Sequence, residues 1–166
     1  ILNGQLQSLK PIKNINDLIN YVHSLSGNEE GVVLRYPSLR VKMKGEEYVR
    51  LHRLITGFST ISIWDCLKNN QNIEEILENV PDEFYNWVKE KEKMFNMIFS
   101  ELAEKSLFAL NEIKNLPNRK EQALKIIEEY KEISGLVFGL LDGKDITPQV
   151  WRMIRPEYEL PFREEK

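Results

Sequence analysis

The residue types able to do chemistry concentrate between positions 29 and 53, EEGVVLRYPSLRVKMKGEEYVRLHR. Glu30 there precedes a glycine, and Lys42 and Lys44 lie two apart. In a strand through residues 39–44, the period of two sends Leu39, Val41 and Met43 to one face. Arg40, Lys42 and Lys44 then share the other, spaced about 7 Å apart along the strand. A rigid strand holds such a pair more closely than a loop does. Two fixed cations suit a group with several anionic oxygens, such as a phosphate, and stabilise charge that develops on it. A Lys-x-Lys pair on a solvated strand is commonplace by itself, so this chemistry rests on its combination with Glu30.

That combination is more specific. Glu30-Gly31-Val32-Val33, followed by Lys42-Met43-Lys44 twelve residues after the glutamate, resembles motifs IV and V of the covalent nucleotidyltransferase superfamily of ATP-dependent ligases and capping enzymes. Tyr48-Val49-Arg50-Leu51-His52 is similar to the segment after motif V in RNA ligases of the bacteriophage tRNA-repair type. The resemblance covers residues 28–53 and implies a division of labour. Glu30 would help to hold a divalent metal, Mg2+ or Mn2+, while Lys42 and Lys44 would contact the α-phosphate of ATP or of the adenylate. Arg40 is a further candidate for the nucleotide or the RNA, and reads equally well as a surface cation. Glu29 rivals Glu30, but only Glu30 directly precedes the glycine. The activity implied is sealing of RNA 5′-phosphate and 3′-hydroxyl ends through lysyl-AMP and RNA-adenylate intermediates. The partners implied are ATP and RNA, with tRNA among the candidates.

The superfamily's nucleophile is a lysine in Lys-x-Asp/Asn/His-Gly, upstream of motif IV. Here Asp142-Gly143 lies downstream and has Leu140 at the lysine position. The chain is therefore expected to be the C-terminal part of such a ligase and inactive alone. Its first partner would be the N-terminal part of its own catalytic domain. The opening Ile1-Leu2-Asn3-Gly4, without methionine, reads the same way. A cloned domain, a proteolytic product or upstream disorder would each account for it.

The elements that must position these residues predict an α+β chain. Residues 1–57 read as the end of a nucleotidyltransferase domain, a short β hairpin with flanking helices, and residues 58–166 as an all-helical C-terminal domain. Asn16 is placed to cap a helix carrying Leu18, Ile19, Val22 and Leu25, with Gly27 as its stop. Val32–Tyr36 and Leu39–Met43, separated by Pro37-Ser38, form the hairpin signal. Tyr48, Leu51, His52 and Ile55 mark one side of a second helix that Gly57 ends.

From residue 60 strand signals vanish. Asn72 opens a short helix closed by Pro81. Asp82 caps a long one whose stripe is Phe84, Val88, Phe95, Ile98, Leu102, Ala109 and Ile113. After the break at Leu116-Pro117-Asn118, a helix brings Ala123, Ile126, Ile127, Tyr130 and Ile133 together and ends near Gly135. Thr147-Pro148 starts a last helix that Pro156 ends. DNA ligases and capping enzymes usually follow motif V with a β-rich OB-fold. A helical appendage instead resembles the phage-type RNA ligases, where it bears on RNA choice. Val80–Phe84 and Leu140–Asp145 resemble recurrent signatures of that appendage.

Composition sets the outer bounds. The chain has 166 residues, 42% hydrophobic and 30% charged, enough to bury a core. No apolar run approaches the roughly 18 residues of a membrane span, and no signal-peptide pattern opens the chain. A lone cysteine, Cys66, excludes an internal disulfide framework, making a reducing, cytoplasmic setting the expectation. Cys66 reads as buried packing in a helix, and His23 and His52 as packed or solvated. The net charge of −3 is uneven: residues 1–57 carry 8 Lys/Arg against 5 Asp/Glu, and residues 58–166 carry 15 against 21. The basic excess thus surrounds the quoted stretch. The alternative function class is a non-enzymatic helical interaction domain whose hairpin matches the motifs by chance.

Overall fold

The computed structural model describes residues 12 and 14–162, and the chain is α+β and mostly helical. It divides between Gly57 and Phe58 into two compact units. The described part of the first holds α1 (Ile15–His23), β1 (Gly31–Arg35), β2 (Arg40–Lys44) and α2 (Glu46–Gly57). The second holds α3 (Thr60–Lys68), α4 (Ile73–Ile76), α5 (Asp82–Ile113), α6 (Arg119–Glu129), a 3-10 turn (Lys131–Ile133), α7 (Ser134–Leu141) and α8 (Thr147–Met153).

In the first unit, α1 starts one residue after Asn14, whose side chain accepts from the Asp17 backbone N–H at 2.9 Å. The expected cap, Asn16, therefore lies inside the helix. The helix also ends earlier than expected, at His23, with Ser24 donating its backbone N–H to Asn20. Gly27 lies beyond that end and serves packing instead: a Cβ there would run into Leu51 of α2. The antiparallel strands pair Gly31 with Lys44, Val32 with Met43, Val33 with Lys42, Leu34 with Val41 and Arg35 with Arg40. One face thus carries Val32, Leu34, Val41 and Met43. Val32 joins Leu18, Val22 and Leu25 in a small core, with Leu34 and Met43 packed against it. The apolar face is not covered to its end, since Leu39 is 57% exposed. On α2 only Leu51 is fully buried, whereas Tyr48 and Ile55 are half-buried and His52 is exposed.

The second unit is built on the 32-residue α5. Phe84, Val88, Phe95, Ala109 and Ile113 of its stripe are buried. Asp82 is the first helical residue and gives no side-chain cap; Pro81 holds the N-cap position. Asn72 does cap α4, but that helix ends at Ile76, well before Pro81. Asn118 caps α6 through the Glu121 N–H. Beyond Glu129 the chain differs from expectation: a 3-10 turn leads into α7, which runs through Gly135. Gly135 therefore ends nothing. Gly139, on the same helix, lies close to α8, where an added Cβ would sit 3.2 Å from Ile146. Leu136, Val137, Ile146 and Val150 join Ala109, Ile113, Ile126 and Ile133 in the main core. Ile127 does not: it is 56% exposed. The last helix ends at Met153, before Pro156. The last helix and the segment after it are tied back to α3: Trp64 Nε1 donates to the Trp151 carbonyl, and Thr60 donates its hydroxyl to the Glu157 carbonyl. Cys66 is buried in α3, and burial pushes its thiol pKa up, with Asp65 adding to the effect, so the thiolate is disfavoured. No helix of the described residues is long and apolar enough to cross a membrane.

Candidate functional site

Glu30 sits just before β1, at the open end of the hairpin, and its backbone carbonyl accepts from the Gly45 N–H at 3.0 Å. That bond fixes Glu30 opposite Gly45, the residue after β2. The next residue must be glycine. Gly31 has φ +142°, and a Cβ there would collide with the Met43 carbonyl and lie 2.8 Å from Lys44 Cα. The close crossing of backbones is what allows a carboxylate from one strand to reach the polar face of the other.

On that face, Lys42 Nζ donates to Glu30 Oε1 at 2.6 Å, and Lys44 Nζ lies 3.5 Å from the same oxygen. One carboxylate oxygen thus gathers both ammonium groups. Each of the three side chains remains about half accessible, so the cluster opens to solvent. The Lys42 hydrogen bond holds the Glu30 carboxyl below the usual carboxylate range, and both lysine charges add to this against an opposing desolvation cost. Exposed pairs of this kind add little stability. Their consequence is positional: two cations are held close together where an incoming anion can exchange with Glu30.

Glu29 is directed elsewhere, accepting from the Ser26 N–H at 3.1 Å and the Ser26 hydroxyl at 3.0 Å. Arg40 shares the polar face but pairs with Arg35 at the turn end of the ladder, opposite in position to Gly31 and Lys44. The geometry therefore brings together Glu30, Lys42 and Lys44 and leaves Arg40 outside the cluster.

Lys44 also faces α2. Its Nζ lies 5.6 Å from the centre of the Tyr48 ring, which stacks on His52 at 6.1 Å with 28° between the planes. Lys44, Tyr48, Val49, His52 and Arg53 line an open cleft of about 320 Å³. The signal for it was present in the sequence: Tyr48/His52 and Val49/Arg53 are both i, i+4 pairs on adjoining rows of a helix.

Among the described residues, no group of three or more His, Cys, Asp or Glu is arranged to hold a metal ion. A Mg2+ ion bound here would take one oxygen from Glu30 and the others from phosphate and water, a donor set this ion commonly accepts. Glu30 fits as such a single ligand, and the ion would supply further charge stabilisation on phosphate oxygens. No protein-family model matches the chain, and no curated protein or solved structure matches it.

Proposed function

We propose that this chain is the C-terminal part of an ATP-dependent RNA ligase and carries the phosphate-binding floor of its adenylyl-transfer site. The observation that supports the reading is the convergence of Lys42 and Lys44 on Glu30 across one hairpin. In this reading the α-phosphate displaces the Glu30 carboxylate from the lysines, and Glu30 would then be free to hold a divalent ion. The two ammonium groups then stabilise the charge that grows on the α-phosphate oxygens as pyrophosphate leaves. The lysine that accepts AMP must come from outside these 166 residues, because the sequence contains no Lys-x-Asp/Asn/His-Gly. Residues 58–166 would contribute to RNA choice.

The test separates binding from chemistry. The chain should bind ATP with Mg2+ in a calorimetric or NMR titration, yet take up no acid-stable label from α-labelled ATP. Lys42→Ala and Lys44→Ala should each weaken binding by about 1.5–3 kcal/mol, the range for a charge-assisted hydrogen bond. Glu30→Gln should lose the Mg2+ dependence while retaining affinity for the nucleotide itself. Wild-type affinity in both lysine variants, with their fold intact, would contradict the assignment. It would favour the second reading, a helical interaction domain, to which exposed Phe108 and Ile127 also point, at 62% and 56% exposure.

A further inference from the structure

The cleft between Lys44 and α2 has a composition that the phosphate floor does not require. Its apolar part is the Tyr48–His52 stack with Val49 beside it, and its charged part is Lys44 and Arg53. Among the described residues no carboxylate lines it, although α2 carries two near its start. Both acids are committed elsewhere: Glu46 lies 3.4 Å from His23, and Glu47 accepts two bonds from the Arg50 guanidinium at 2.7 and 2.9 Å. Arg50 is thereby paired, whereas among the described residues the Arg53 guanidinium has no ion pair or side-chain hydrogen bond. Two π faces beside two cations, with the acids of α2 drawn away and Lys44 shared with Glu30, suit a planar base attached to a phosphate. About 320 Å³ is at the small end of ligand sites, matching one such unit rather than a folded chain.

We propose that this cleft seats one unpaired nucleotide of an RNA strand, its base against Tyr48 and His52 and its phosphate between Lys44 and Arg53. Taking the strand to be RNA rests on the ligase reading. Lys44 is common to both places, since its Nζ is 3.5 Å from Glu30 and 5.6 Å from the Tyr48 ring. A nucleotide in the cleft therefore lies next to the floor proposed for the adenylyl phosphate. A strand end held there would be presented to that phosphate.

The chain has two histidines, His23 and His52, so its imidazole NMR signals give a reporter inside the cleft and a control outside it. The probes are a 5′-phosphorylated hexa-adenylate RNA and, separately, ATP with Mg2+. The RNA should move the His52 ring protons upfield through the ring current of a stacked base and leave His23 in place. Tyr48→Leu and Arg53→Gln should each weaken RNA binding on the order of tenfold, with ATP affinity unchanged. RNA binding that leaves His52 unmoved overturns the inference. So does an ATP-induced His52 shift that RNA merely competes away, because the cleft would then belong to the free nucleotide. ATP binding lost in Lys42→Ala while His52 ignores RNA removes the cleft alone. A His52 response to RNA without any ATP binding keeps the cleft and removes the ligase reading.

Discussion

At the scale of single residues, Glu30 decides how the cluster responds to its surroundings. Its carboxyl is held below the ordinary value of 4.5, first by the Lys42 hydrogen bond and then by the lysine charges. A depressed carboxyl contributes its ion-pair stabilisation fully above the ordinary value and loses it as pH falls through the lowered folded value. The cluster should therefore be intact at neutral pH and open only in acid, releasing Lys42 and Lys44 together. A carbon-detected NMR titration of the Glu30 carboxyl should place its midpoint below that of the free side chain. Lys42→Met should return it toward the ordinary value, and Arg40→Met should leave it depressed. Added salt should narrow the difference, because all three groups are accessible to solvent. An unshifted carboxyl in the wild-type chain would mean that the cations are not held on Glu30 in solution. The choice of Glu30 over Glu29 was legible in the sequence only through the adjoining glycine. The structure supplies the physical reason in the Gly45–Glu30 backbone bond and the left-sided φ of Gly31.

At the scale of elements, period and punctuation carried much of the fold and failed at identifiable places. The hairpin was readable because apolar and cationic residues alternate from Leu39 to Lys44, and its pairing places Val33, not another cation, opposite Lys42. The cap of α1 was misplaced because Asn14 and Asn16 offer the same side chain, and only the bond to Asp17 distinguishes them. The 3-10 turn and α7 were missed because Ser134-Gly135-Leu136-Val137-Phe138-Gly139 lacks helical alternation. Leu136 and Val137 are both buried, and glycines occupy positions close to Gln149. On α6 the sequence joined Ile126 and Ile127 in one stripe, whereas adjacent positions on a helix point about 100° apart, and α6 has one face on the core and the other in solvent. Ile126 is fully buried and Ile127 is 56% exposed. Ile126→Ala should thus destabilise the second unit by about 2–5 kcal/mol through transfer and cavity costs. Ile127→Ala should stay within about 0.5 kcal/mol of wild type. Urea denaturation followed by the tryptophan fluorescence of this unit, which holds Trp64, Trp87 and Trp151, checks both.

At the scale of the whole molecule, charge is divided between the two units more clearly than chemistry is. The boundary between Gly57 and Phe58 separates residues with 8 Lys/Arg and 5 Asp/Glu from residues with 15 and 21. An acidic unit repels polyanions unless its cations are locally concentrated. One such place exists where α5 gives way to α6. Lys114 there donates to Asn111 at 2.8 Å, and the Arg119 guanidinium lies 5.9 Å from the Phe138 ring and pairs with Asp142, which Lys144 also approaches at 3.4 Å. Arg119 is therefore held by Asp142 and stiffens the junction. Lys114 and Lys120 stay open to an outside partner, since among the described residues Lys114 meets a neutral amide and no carboxylate, and Lys120 is exposed. Lys114, Arg119 and Lys120 are three cations within seven positions of sequence, but sequence alone cannot show that Arg119 is occupied, because Asp142 is 23 residues away. If the helical unit touches an RNA backbone through this junction, Lys114→Ala and Lys120→Ala should each reduce the salt slope of RNA binding by about 1. Binding to RNAs of different sequence should weaken uniformly, and ATP affinity should stay at the wild-type value. Fluorescence anisotropy at several salt concentrations measures the slope directly. A slope unchanged in the double variant would confine phosphate contacts to the first unit, and RNA choice could not then be assigned to this end of the helical one.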